Sequence, residues 1–282
     1  MERRLSDGRN RYAEREYDVL SEHWRPLFGS VRMDRKQERD MLGVLGGMGP
    51  LATVDFVRKI VQNTSADRDQ HHIPMLVCSA SNIPDRTAAI VGVGPDPLPA
   101  MIDALRRLER AGATYIAIAC NTAHNWHGAL QEAASVPILH IADAVLDDLK
   151  SRNVREGVIG ILATTGTLQA GIYQDRLSRH GFACRSPDRQ DEVMRAICLV
   201  KAGRIGEAGA VLRDQVSMLI SAGCRCVILA CTEIPVALDA TGDDLHGVTI
   251  DATDALSRAC VDAYTRGSGR APACPVSAME LG

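Results

Sequence analysis

Short apolar runs alternate along this chain with stretches of helical periodicity, and most of the runs stop at a cluster of small or polar residues. The first, MLGVLGGMGPLAT (41–53), predicts a strand, a glycine turn and a helix that has Pro50 in its first turn and continues to about Asn63. IPMLVCSA (73–80) predicts a second strand that leaves through SNIPDRT (81–87). After the Gly/Pro-rich GVGPDPLP (92–99), Met101, Leu105 and Leu108 fall on one helical face and lead into TYIAIACNTAH (114–124). VPILHIADAV (136–145) supplies a fourth strand and the start of a helix. The alternation then begins again. EGVIGILATTGTL (156–168) predicts a strand and turn, followed by a helix to about His180 and a short strand, FACRS (182–186). A long helical stretch from Gln190 to Ala222, broken near Gly203, precedes RCVILACTEIP (225–235), and VTIDATDAL (248–256) closes the series.

The second series repeats the first. An Ala-Gly pair stands nine residues before Cys120 and again nine before Cys231, and from 111 to 222 and from 120 to 231 the offset is 111 positions. Asp143 and Asp254 share that offset. One strand-helix unit is therefore used twice, and alternating strands and helices imply parallel sheets whose ligands sit at the carboxyl ends of the strands. The expected fold is α/β, with two similar domains related by a pseudo-twofold, each a parallel sheet flanked by helices, and the active site between them. The expected boundaries are a polar N-terminal extension over 1–40, a first domain over 41–139 completed by a helix over 252–266, a second over 140–251, and a flexible tail over 267–282. The extension holds ten Lys or Arg and nine Asp or Glu, with a short helix expected over Tyr12–Trp24.

Composition narrows the partners. With 46% hydrophobic and 24% charged residues over 282 positions, the chain can bury a proper core. A net charge of −3 and a pI near 6.2 give neither nucleic acid nor an anionic membrane a general attraction, so a small molecule is the expected partner. No apolar run approaches the ~20 residues of a membrane span, and the charged start lacks the apolar core of a signal peptide, which predicts a cytoplasmic protein. The nine cysteines are odd in number, irregular in spacing and set mostly in apolar runs, so neither a disulfide framework nor a metal centre is expected. Cys224 and Cys226, a lone Cys-x-Cys pair in a strand-like run, lack the second knuckle of a zinc ribbon.

The candidate chemistry lies at the repeated cysteines. A thiol at a strand end, followed at once by a helix start, meets free amides and partial positive charge that favour the thiolate. Cys120 with His124 four residues on has the look of a nucleophile and its base, but the second copy puts Pro235 where the histidine would stand. The repeat thus makes the cysteines equivalent and leaves His124 as a tuner of Cys120's charge. Two equivalent thiols on facing units suit the removal of a proton from one face of a carbon and its delivery to the other. Asn121, Thr122 and Thr232, each beside a cysteine, are donors suited to an adjacent carboxylate, although helix capping also uses such residues. Gly46-Gly47-Met48-Gly49 follows neither the dinucleotide nor the Walker pattern and suits a tight turn or a close ligand approach. Arg86, at the end of the second strand, suits carboxylate recognition or a solvated surface position.

GGMGPLAT (46–53), IPDRT (83–87), ACNTAH (119–124), LATTGTL (162–168) and CTEIP (231–235), in that order, resemble the aspartate/glutamate racemase family, with the closest likeness to its aspartate racemase branch, over about Met41 to Tyr264. The resemblance implies racemisation without a cofactor or metal, by two thiols, in a homodimer. It implies that Cys120 and Cys231 are the acid/base pair, that Asn121, Thr122, Thr164, Thr165 and Thr232 hold the amino acid, that Met48 and Gly49 line the pocket, and that Arg86 and Lys201 bind a side-chain carboxylate. Two cations facing an apolar substrate would be left uncompensated, so aspartate is the expected substrate. Glutamate, a broader set of amino acids, a one-thiol isomerase or lyase, and a silent amino-acid-binding protein are the alternatives.

Overall fold

The computed structural model describes residues 40–242 and 245–268. The Tyr12–Trp24 helix, the rest of the extension to residue 39, and the tail beyond residue 268 lie outside the described residues.

Strands β1 (Leu42–Gly46), β2 (Met75–Ser79), β3 (Tyr115–Ile118) and β4 (Ile138–Leu139) form one parallel sheet in the order β2-β1-β3-β4. Strands β5 (Gly157–Ala163), β6 (Phe182–Arg185), β7 (Cys226–Ala230) and β8 (Thr249–Asp251) form a second in the matching order β6-β5-β7-β8, also parallel. β1, β3 and β7 are buried along their whole length, as unbroken apolar runs covered on both faces must be. The edge strands β2 and β6 are only partly buried. The duplication expected from the 111-residue offset is thus a duplication of sheet order.

Helix α1 (Pro50–Asn63) starts on Pro50, and Gly47 makes the turn before it with φ 90°, where a Cβ would lie 2.5 Å from the Ala80 amide nitrogen. α2 (Arg86–Ile90) is capped by Asp85, and α3 (Leu98–Arg110) buries Met101, Ala104, Leu105 and Leu108, the face its periodicity predicts. α4 (His127–Ala133) follows a 3-10 turn over Thr122–Trp126, and α5 (Ile141–Ser151) follows β4. The single helix expected up to His180 is instead two short ones, α6 (Thr165–Gln169) and α7 (Gln174–Ser178). Between them Gly171 takes φ 64°, which continues neither helix. The stretch from Gln190 divides where expected, into α8 (Gln190–Lys201) and α9 (Ile205–Ser221), with Gly203 at φ 80°. α10 (Glu233–Asp239) leaves β7 and α11 (Ala252–Ser268) leaves β8.

One core joins the two sheets. Leu42, Val44, Phe56 and Ala117 from the first half pack with Ile159, Ile161 and Ile228 from the second, around Ile141 and Val145 of α5 and Leu256 and Cys260 of α11. A polar tie crosses the same boundary: the Lys59 ammonium, buried on α1, lies 2.5 Å from Asp55 and 2.6 Å from Asp251 at the end of β8. Separate apolar clusters fill the outer faces, under α3 on the first sheet and under α8, α9 and α10 on the second. Among the described residues no helix is long and apolar enough to cross a membrane.

Candidate active site

The loops that leave β1, β2, β3, β5 and β7 converge on a narrow cavity. Cys120 and Cys231, at equivalent ends of β3 and β7, both line it. They are 5% and 4% exposed, so a group that reaches either thiol leaves most of its water behind. Met48, Arg86, Asn121, Thr122, Thr164, Lys201 and Thr232 line the same cavity. Two expected residues are not part of the lining: the Thr165 hydroxyl accepts from Gln190, and Gly49 lies next to Glu233.

The two cysteines have different neighbours. The Cys120 carbonyl accepts a 2.9 Å hydrogen bond from Nδ1 of His124, whose Nε2 accepts from the Ile141 amide at 3.2 Å. Burial drives the His124 pKa down to about 3, so the ring is a neutral strut with both nitrogens engaged by backbone. This corrects the expectation that His124 tunes the charge of Cys120, because its ring is neither charged nor turned to the cavity. Its ring also packs edge-on against His140, with centroids 4.8 Å apart.

Cys231 has a carboxylate for a neighbour. Its Sγ donates to Glu233 Oε2 at 3.1 Å, and the Thr232 hydroxyl donates to the same oxygen at 3.0 Å. Burial pushes the Cys231 thiol well above its ordinary 9.0, Glu233 adds to the shift, and Lys201 opposes it. The expectation that a helix start favours the thiolate is therefore corrected for Cys231: a short helix cannot offset full burial beside a carboxylate.

The polar wall between the cysteines is built across the two halves. Hydroxyls of Thr122, Thr164 and Thr167 form a closed triangle with sides of 3.0, 2.9 and 2.9 Å. Thr164 also caps α6 by accepting from the Thr167 amide, whereas Asn121 and Thr232 make no capping bond. The side chain of Asn121 is held by the Tyr173 hydroxyl, which donates to Oδ1, and its Nδ2 is buried with no partner among the described residues. This leaves an oriented amide donor free at the cavity.

Arg86 is 8% exposed, and its guanidinium donates to the carbonyls of Met48, Ile83 and Pro84. Its Nε is buried with no partner, and among the described residues it has no carboxylate in ion-pair contact. Such a cation is costly until an anion meets it. Lys201 reaches the cavity from the end of α8. Burial lowers its pKa, but Glu233, the two cysteines and Asp85 outweigh that and leave it raised, so it is a firm ammonium. Glu233, Asp85 and Thr87 complete the lining and were not anticipated from sequence. Glu233 stands beside Cys231 in CTEIP, but an acidic residue in a helix's first turn is ordinary and draws no notice. Among the described residues no group of three or more His, Cys, Asp or Glu side chains is placed to hold a metal ion.

With this fold and cavity in place, residues 45–260 match the Asp/Glu/Hydantoin racemase family. The chain belongs to that family and is an isomerase of the amino-acid racemase class. It is 29% identical over 232 residues to the broad specificity amino-acid racemase RacX of Bacillus subtilis, which covers 79% of this chain and 98% of that one. It is 30% identical over 170 residues to the glutamate racemase of Deinococcus radiodurans, covering 59% and 53% of the two chains. The structure of Picrophilus torridus aspartate racemase superposes with a TM-score of 0.70 at 29% identity, covering 83% of this chain and 96% of that one.

Proposed function

We propose that this racemase interconverts L- and D-aspartate without a cofactor, with Cys120 and Cys231 as the acid/base pair. The observation that carries the reading is that both thiols, at equivalent strand ends of a duplicated fold, line one buried cavity. In one direction a thiolate takes the Cα proton onto sulfur, and the freed electron pair spreads into the α-carboxylate. The opposite thiol then gives its proton to the other face of Cα. The enzyme is left with the two protonation states exchanged, ready for the reverse reaction. The enolate-like carboxylate is met by the free amide donor of Asn121 and by the hydroxyls of Thr122, Thr164 and Thr232. Arg86, which has no anion partner among the described residues, and Lys201 receive the side-chain carboxylate.

The likeness to RacX favours a second reading, a racemase accepting a wider set of amino acids, glutamate among them. Chiral chromatography of purified enzyme with a panel of L-amino acids, and no added pyridoxal phosphate, separates the two. Fastest conversion of aspartate supports the first, and comparable rates on neutral and acidic side chains replace it with the second. Assembly as a homodimer and division into domains at 139/140 belong to the same proposal, and light scattering checks the former.

A further inference from the structure

Glu233 is a buried carboxylate with one oxygen in use and one idle. It is 4% exposed, Oε2 receives the Cys231 thiol and the Thr232 hydroxyl, and among the described residues Oε1 has no hydrogen-bond partner. The two bonds to Oε2 fix the plane of the carboxylate, and the residue lines the cavity. On the far side of Oε1 stands Gly49: a Cβ built there would lie 3.1 Å from Oε1 and meet nothing else within 4 Å. The missing side chain keeps space beside the one oxygen that lacks a donor.

We propose that Glu233 Oε1 is the receptor for the substrate's α-ammonium group, an inference that rests on the amino-acid racemase reading above. A carboxylate oxygen can only accept hydrogen bonds, and a buried one without a donor is costly. The described residues supply no donor to Oε1, which leaves that role to the ligand, and the ammonium is the donor that a free acidic amino acid always carries at neutral pH. The other charged groups on the wall fit the rest of the molecule: Arg86 and Lys201 are cations for carboxylates, and Asn121 and the threonines are neutral donors. Lys201 is close enough for Glu233 to raise its pKa, yet it makes no hydrogen bond to Oε1. One carboxylate thus joins the bound ammonium to the sulfur of Cys231, placing the Cα between them within reach of that thiol.

The test compares aspartate with succinate, which has both carboxylates and no ammonium. Dissociation constants are measured by calorimetry, which does not depend on turnover, for the wild type, Glu233→Gln and Glu233→Asp. The Gln variant is expected to weaken aspartate roughly 10- to 100-fold while succinate binds as well or better, so that the preference for aspartate collapses. The Asp variant keeps the charge one methylene further back and is expected to give an intermediate loss; it decides the matter if the Gln variant fails to fold. An unchanged aspartate-to-succinate ratio, or a parallel loss of both ligands, overturns the role of Glu233 and leaves the racemase reading intact. A wild-type protein that binds and racemises no amino acid overturns the reading itself.

Discussion

The Cys120 and Cys231 halves share a strand order, a strand-end thiol and a cavity, yet they treat their thiols differently. Behind Cys120 stands a neutral histidine that grips the backbone carbonyl and leaves the sulfur alone. Beside Cys231 stands a carboxylate that accepts the S–H and holds it as a thiol. Duplication has kept the positions of the two thiols, while their surroundings have diverged. On the proposed two-thiol reading, a near-symmetric reaction starts from an asymmetric resting state, with Cys231 as the side that begins as the proton donor.

The comparison breaks most sharply at the thiols. Cys120→Ser and Cys231→Ser are each expected to lower the racemisation rate by at least ~10³-fold, since a serine hydroxyl is far too weak an acid to take either part. If one replacement is tolerated, the halves are not partners and a one-thiol reaction is at work. Arg86→Leu is expected to raise KM for aspartate by roughly 30- to 100-fold with a smaller effect on kcat, because the lost contact is a charge-assisted one made in ground and transition states alike. An unchanged KM removes Arg86 from the carboxylate subsite.

The sequence already carried the duplicated sheets, because buried parallel strands are continuous apolar runs and the two cysteine strands are nearly the same run twice. It carried most of the cavity wall through residues adjacent to those strands. What it lacked was contact across the halves. Thr167 closes a hydroxyl triangle with Thr122, 45 positions earlier, and Tyr173 orients Asn121 from 52 positions away; neither has a local signature. Lys59, one of several charges on its helix, is buried against Asp251 from the other half, with no local mark in the sequence. The break at Gly171 was missed because a lone glycine in a helical pattern is often tolerated, and only its positive φ reveals the turn.

Smaller effects sharpen the contrast through pH. The folded-state pKa of Cys231 is raised, so its contribution to stability is complete below the ordinary 9.0 and is lost as pH climbs from there toward the folded value. Thermal melts should therefore fall more steeply above pH 9 in the wild type than in Cys231→Ala. The reverse sign holds for His124: its folded pKa of about 3 lies below the ordinary 6.5, so the unfolded chain takes up the proton first. Stability should decline as pH falls from 6.5 toward 3, by about 1.4 kcal/mol per unit from this ring alone, and His124→Gln should flatten that limb. Equal slopes in variant and parent would assign the pH dependence to other groups. The smallest effect expected is at Thr167→Val, which should cost about 1 kcal/mol in denaturant unfolding through the lost hydroxyl triangle.

The central claim, two thiols acting on opposite faces of one carbon, is tested most directly by early-time proton exchange. L-aspartate is incubated in heavy water with the wild-type enzyme, and both enantiomers are recovered before a tenth of the substrate has turned over. The two-thiol account predicts D-aspartate carrying deuterium at Cα and recovered L-aspartate still carrying protium, because the thiol that removes the proton is not the one that delivers the new one. Deuterium in both enantiomers at the same rate, or protium retained in the product, contradicts it.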